Sequence, residues 1–295
     1  MGLSATPERY FDEVGTQSVF DYFGAVLQPE FTLRDAINQG ALVHYLYYPI
    51  LIELTESESI AYSKLTQKIG RVLMYKQREN GDLINIEDNE DIKSLLIQRA
   101  RLVSAAENKL NALRELMSSR RETSHTLFYC SDGSQEAEGR ANLRQLKEVT
   151  RILGVELGYR VSTYTAQTSL MEREDLRTQF EIGELQGLVA IRCLDEGVDI
   201  PAIKTAVILA SSSNPRQFIQ RRGRVLRPHP GKERATIFDM IVLPPDLDRS
   251  TLEVERNLLR KELRRFVEFA DLADNAGEAR MILFDLQMRY GLMDV

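Results

Sequence analysis

The chain has 295 residues, 43% hydrophobic and 28% charged, with a formal net charge of −6, enough material for one large domain or two modest ones. No stretch is apolar and long enough to predict a membrane span, and the N-terminus lacks the pattern of a signal peptide. The negative net charge argues against a protein that coats nucleic acid through its overall field, so any such contact must use a local basic strip, and one runs from Arg216 to Arg234.

In chain order, Thr55-Glu56-Ser57-Glu58 predicts a capped helix running to roughly Arg78. A break containing glycine and asparagine follows at Asn80 to Asn89. A long helix then fits Asp91 to about Arg120, with Leu95, Leu102, Ala106, Leu110, Leu113 and Met117 near one face. Leu127 to Cys130 reads as a buried strand, and a helical pattern passes through Leu143, Leu146, Val149 and Leu153. Arg160 to Thr165 predicts a second strand, and Ser169 with Glu172 a cap for a helix reaching about Glu181. Leu188 to Ile191 and Ala206 to Leu209 are further apolar runs. Asn214-Pro215 supplies an N-cap and first-turn proline for a helix through Leu226, and Thr236 to Ile241 closes the series as a strand. Strands buried on both faces and interleaved with helices predict a parallel sheet of the α/β class. After Pro244-Pro245, Ser250 and Glu253 start a last helix, whose charge run reads as a solvated face. Cys130 and Cys193 lie in apolar runs without metal-ligand spacing, which predicts buried, reduced thiols in a cytoplasmic protein. Three scattered histidines offer no zinc site.

The chemistry concentrates in Gln220-Arg221-Arg222-Gly223-Arg224-Val225-Leu226-Arg227. On a helix Gln220, Arg224 and Arg227 share a face, and two guanidinium groups with an amide suit a triphosphate, because arginine binds phosphate bidentately and keeps its charge. Taken alone, the octet also describes a basic helix that solvates or touches nucleic acid, with the triphosphate reading modestly ahead. A second stretch, Leu194-Asp195-Glu196-Gly197-Val198-Asp199-Ile200-Pro201, follows the Leu188–Ile191 strand, at the carboxyl end where α/β folds place ligands. Taken alone it is a turn with acidic residues.

Together these stretches resemble superfamily 2 helicases. Gln220 to Arg227 is similar to motif VI, Asp195 to Pro201 to motif V, and Thr126 to Ser131 to motif IV. Gly2-Leu3-Ser4-Ala5-Thr6-Pro7-Glu8-Arg9 resembles motif III, and Leu33 to Leu42 is similar to the linker of DExH-type DNA translocases. The resemblance covers Gly2 to about Val242. It implies a RecA-like parallel sheet flanked by helices, with a helical insertion and a C-terminal helical extension. The implied divisions are 1–11 as the remnant of a first motor domain, 12–54 as linker and approach to the second, and 55–122 as the insertion. Residues 123–245 are then the RecA-like domain and 246–295 the extension.

The resemblance also implies roles. Arg224 and Arg227 are arginine fingers with Gln220 near the γ-phosphate, and Glu196, Gly197 and Asp199 line the nucleotide edge. Ser4, Ala5 and Thr6 couple nucleotide state to domain closure. Ser212 and Ser213, with Ser211, Thr165 and Arg221, contact the nucleic-acid backbone; for the serines and Thr165, ordinary loop hydroxyls are an equal alternative. The implied cofactors are ATP and Mg2+, and the partners are nucleic acid, with DNA favoured over RNA, and an N-terminal RecA-like motor domain in cis or in trans. Motif V departs from many relatives in carrying Ile191 where a phosphate-binding threonine is common.

The phosphate-binding half is missing: no G-x-x-x-x-G-K-[ST] occurs. Gly231-Lys232 is followed by Glu233, and Asp12-Glu13-Val14-Gly15 follows motif III where the DExx box should precede it. The expectation is an expressed fragment or a motor whose first domain is another polypeptide, with little or no ATP hydrolysis by the chain alone. A non-catalytic module that binds nucleic acid or a partner is the competing reading. Unwinding or translocation, in repair, restriction or phage defence, stays open.

Overall fold

A computed structural model describes residues 13–26, 28–80, 90–130, 139–165, 167–191, 200–210, 223–245 and 249–295. Helices α1 (Glu13–Phe23) and α2 (Leu33–Asn38) come first, followed by strand β1 (His44–Ile52). Thr32 starts α2 as a full capping box: its hydroxyl accepts from the Asp35 amide, and the Asp35 carboxylate accepts from the Thr32 amide. Helices α3 (Glu56–Asn80), α4 (Glu90–Ser104) and α5 (Asn108–Ser118) lead to β2 (Thr126–Tyr129). Then come α6 (Gly139–Arg151), continued by a π-helical turn at Ile152–Glu156, β3 (Val161–Tyr164) and α7 (Leu170–Glu181). Strands β4 (Gly187–Ala190), β5 (Thr205–Ile208) and β6 (Arg234–Val242) complete the sheet, and α8 (Arg249–Asp271) and α9 (Ala276–Tyr290) end the chain.

The six strands form one parallel sheet in the order β1-β6-β5-β2-β4-β3. Alternate residues serve opposite faces, as a pleated strand requires. Leu127, Tyr129, Leu188, Ala190, Ala206 and Ile208 pack with α7, α8 and α9, whereas Phe128, Cys130, Val189 and Val207 pack with Leu113 and Met117 of α5 and Leu146 and Val149 of α6. Each fully buried Leu or Phe side chain contributes roughly 1.5–3 kcal/mol, so covering both faces is what holds the strands in register. Gly187 marks a close approach, since a Cβ there would stand 2.8 Å from the Phe128 ring.

The α/β prediction and its parallel sheet therefore match the structure, with two differences. First, the long helix expected over 91–120 is two. Ala106 is fully buried at the bend, the Glu107 amide donates to Glu58, and the Asn108 side chain donates to the Glu53 carbonyl. The bend lets α4 pack along α3 while α5 turns onto the sheet. Second, His44 to Ile52 is a strand that the sequence reading passed over. Its Pro49 is tolerated because β1 is an edge strand with only β6 as neighbour.

Candidate functional site

Loop placement follows from the strand order. In a parallel sheet every carboxyl end faces one edge, so the loops after β2, β4 and β5 leave from three adjacent strands. The chain then returns to the opposite, amino-terminal edge before β5 and β6 begin. There the end of the arginine-rich segment is found.

Gly223 to Val225 is helical, Leu226 is a turn, and Arg227 lies beyond the helix. The helix had been expected to run through Leu226 with Arg227 on its face. It stops because Arg227 precedes Pro228, whose ring disfavours helical backbone at the preceding residue. Val225 and Leu226 are buried in the core face shared with α8 and α9, and Arg224 and Arg227 flank them, each half-buried.

Three carbonyls at the helix end are taken up. The Leu226 carbonyl accepts from the Val43 amide at 2.8 Å, immediately before β1. The Val225 and Arg227 carbonyls accept from Lys232 Nζ at 2.6 and 2.8 Å, and the same ammonium donates to the Pro201 carbonyl at 3.1 Å. A tight turn from His229 to Lys232, with Gly231 at φ +72°, places this lysine. Burial, with Lys204 nearby, pushes the Lys232 ammonium down to about 8; it stays protonated at neutral pH and completes the helix end with positive charge.

Pro201 therefore belongs to the amino-terminal edge, four residues before β5. Lys232 thus links Pro201, from the motif V stretch, to Val225 and Arg227, from the motif VI stretch. Thr165 is elsewhere, at the carboxyl end of the far edge strand β3. Its amide donates to the Thr168 hydroxyl at 3.0 Å, its hydroxyl accepts from the Gln167 amide at 3.3 Å, and its carbonyl accepts from Arg173 at 3.1 Å. These bonds make a local turn. Cys130 is buried as expected, and burial raises its thiol. Ser4, Ala5, Thr6, Cys193, Glu196, Gly197, Asp199, Ser211, Ser212, Ser213, Gln220 and Arg221 lie outside the described residues. In the sequence Lys232 reads only as a false P-loop signal; its one visible cue is a Gly-Lys turn directly after the arginine segment. Among the described residues no helix is long and apolar enough to cross a membrane, and no group of three or more His, Cys, Asp or Glu is placed to hold a metal ion.

Residues 108–229 match the helicase conserved C-terminal domain. The chain is 25% identical over 240 residues to a DNA 3'-5' translocase, XPB2, of Sulfurisphaera tokodaii, covering 77% of this chain and 49% of that protein. It is 28% identical over 126 residues to the ATP-dependent RNA helicase DBP8 of Eremothecium gossypii, covering 43% and 28% respectively. The chain thus spans about half the length, or less, of these relatives. Its fold is that of the Sulfolobus solfataricus SWI2/SNF2 ATPase core, solved in complex with dsDNA, with a TM-score of 0.50 at 13% identity over 82% of this chain and 49% of that one. The family match over residues 108–229 and the six-stranded parallel sheet lead to one conclusion: the chain carries a helicase conserved C-terminal domain with a RecA-like fold.

Proposed function

We propose that the chain is the second motor domain of an ATP-dependent DNA translocase or helicase and delivers Arg224 and Arg227 to a nucleotide held by a P-loop domain. The observation that carries this reading is the fixed arginine segment: two half-buried guanidinium side chains flank a helix end whose carbonyls are tied to Val43 and Lys232. A guanidinium on an immobile backbone suits transition-state stabilisation, because donors aimed in advance at developing charge need no reorganisation during reaction. Two arginines with the amide of Gln220 are the donor set that a triphosphate needs.

ATP supplies the phosphoryl group, and Mg2+ would be held by the carboxylates of the first motor domain. The part of this chain is to bring positive charge to the γ-phosphate and to close over it. Glu196, Gly197 and Asp199 complete the nucleotide edge in this reading, and Ser4 to Thr6 couple the domains. Ser212, Ser213, Arg221 and Thr165 meet the nucleic-acid backbone. DNA is the favoured track because the chain is 25% identical over 240 residues to a protein named as a DNA translocase.

The purified chain alone is expected to hydrolyse ATP negligibly. Supplying a P-loop-bearing first motor domain, fused or separate, is expected to produce DNA-stimulated turnover. Vigorous turnover by the chain alone would refute the half-site reading. DNA binding with no turnover in the combined protein would favour a non-catalytic module instead.

A further inference from the structure

Lys232 is 6% exposed, which is unusual for a lysine with no carboxylate partner among the described residues. Its ammonium has three hydrogens, and three main-chain carbonyls lie within hydrogen-bond distance: Val225 at 2.6 Å, Arg227 at 2.8 Å and Pro201 at 3.1 Å. An ordinary helix cap would engage the helix end alone. Here one bond holds the last helical residue, the second holds Arg227 outside the helix, and the third crosses to a segment 31 residues away in sequence. The turn that carries the lysine is itself closed by the Lys232 amide donating to the His229 carbonyl at 2.9 Å.

We infer that Lys232 is a positioning residue of the motor: it fastens the Arg224–Arg227 segment to the Pro201 segment, so that motifs V and VI present their groups as one rigid unit. The inference rests on the proposed role of Arg224 and Arg227. With its ammonium taken up by three carbonyls, the lysine acts through the backbone on either side of Leu226. Releasing it leaves one buried and two part-buried carbonyls short of a donor and lets the arginines spread over several orientations. A misplacement of about 1 Å can cost on the order of a hundredfold in rate.

Two variants test this. Lys232→Met keeps an unbranched apolar side chain and removes the donors, and Lys232→Arg keeps the charge. In the chain alone, hydrogen exchange across 200–208 and 223–234 is expected to quicken about tenfold or more in K232M, with K232R between it and wild type, while β2 and α9 stay unchanged. In the chain combined with a P-loop domain, K232M is expected to lower kcat roughly ten- to a hundredfold with little change in KM for ATP. In an Arg224→Ala/Arg227→Ala background it should lower kcat no further. Unchanged exchange in both segments, or an equal kcat loss without the arginines, would overturn the inference. If removing the arginines leaves turnover intact, the finger reading fails by itself, and the exchange result still decides whether Lys232 holds the two segments together.

Discussion

Glu255 on α8 has no exposed surface, and its surroundings determine what it is worth. Burial raises its carboxyl, and Arg99 opposes that shift from 2.7 Å. The Tyr62 hydroxyl donates to the same carboxylate oxygen at 2.6 Å, and Thr66 reaches the other oxygen at 3.5 Å. A buried carboxylate stripped of its cation is costly, so Arg99→Met is expected to destabilise the fold by about 3–5 kcal/mol in urea unfolding. Arg99→Met/Glu255→Leu should recover most of that loss; a loss below about 1 kcal/mol for Arg99→Met alone would contradict the role given to the pair. Lys109 on α5 is a different case. Burial pushes its ammonium down to about 8, against the attraction of Asp239, Glu58 and Glu262. In the unfolded chain it titrates near 10.5, so between about 8 and 10.5 the unfolded state holds more protons and stability rises with pH. Below about 8 both states are protonated and the folded chain bears the full burial cost. From pH 8 to 10.5, wild type should therefore gain on the order of 2–3 kcal/mol relative to Lys109→Met. A difference that shrinks with rising pH would contradict this.

At the scale of elements, the free edge of β1 needs cover, because an unpaired strand edge invites association. The turn between α8 and α9 provides it. The Tyr47 amide donates to Asn275 Oδ1 at 2.8 Å, Asn275 Nδ2 donates to the Tyr47 carbonyl at 3.0 Å, and the Asp274 amide donates to the Tyr45 carbonyl at 2.9 Å. One side-chain amide thus stands in for a neighbouring strand. Asn275→Ala is expected to cost about 1–3 kcal/mol in thermal or urea unfolding, since two buried-edge groups lose their partners; an unchanged midpoint would show the edge to be satisfied otherwise. How far the sequence could be read also differs by element. The strands β2, β4 and β5 were legible because burial on both faces makes them short, continuous apolar runs. By contrast β1 was hidden by its tyrosines and by Pro49, which only an edge position tolerates. The bend at Ala106 was hidden because its buried alanine continues the apolar stripe of α4. Arg224 and Arg227 stood out by charge and spacing, whereas their segment is held through its own main-chain carbonyls, by Lys232 and the Val43 amide, and carbonyls carry no residue-type signal.

Across the whole molecule, the sheet separates two kinds of contact. Thr165 closes β3 at one extreme of the carboxyl edge, while the arginine segment lies against the amino edge beside β5, β6 and β1. Four strand spacings lie between β6 and β3, roughly 19 Å at about 4.8 Å each, so Thr165 and the arginines cannot grip the same phosphate. That separation suits a motor in which the track and the fuel are held at different places and coupled through a rigid sheet. The helices before and after the sheet reinforce it: α5 packs under one face, and α8 and α9 under the other. The account depends most on the arginines. Its most direct test is kcat for DNA-stimulated ATP hydrolysis by the chain combined with a P-loop motor domain, with and without Arg224→Ala/Arg227→Ala. The account predicts a loss on the order of a thousandfold or more with folding and DNA binding preserved; turnover equal to wild type would contradict it.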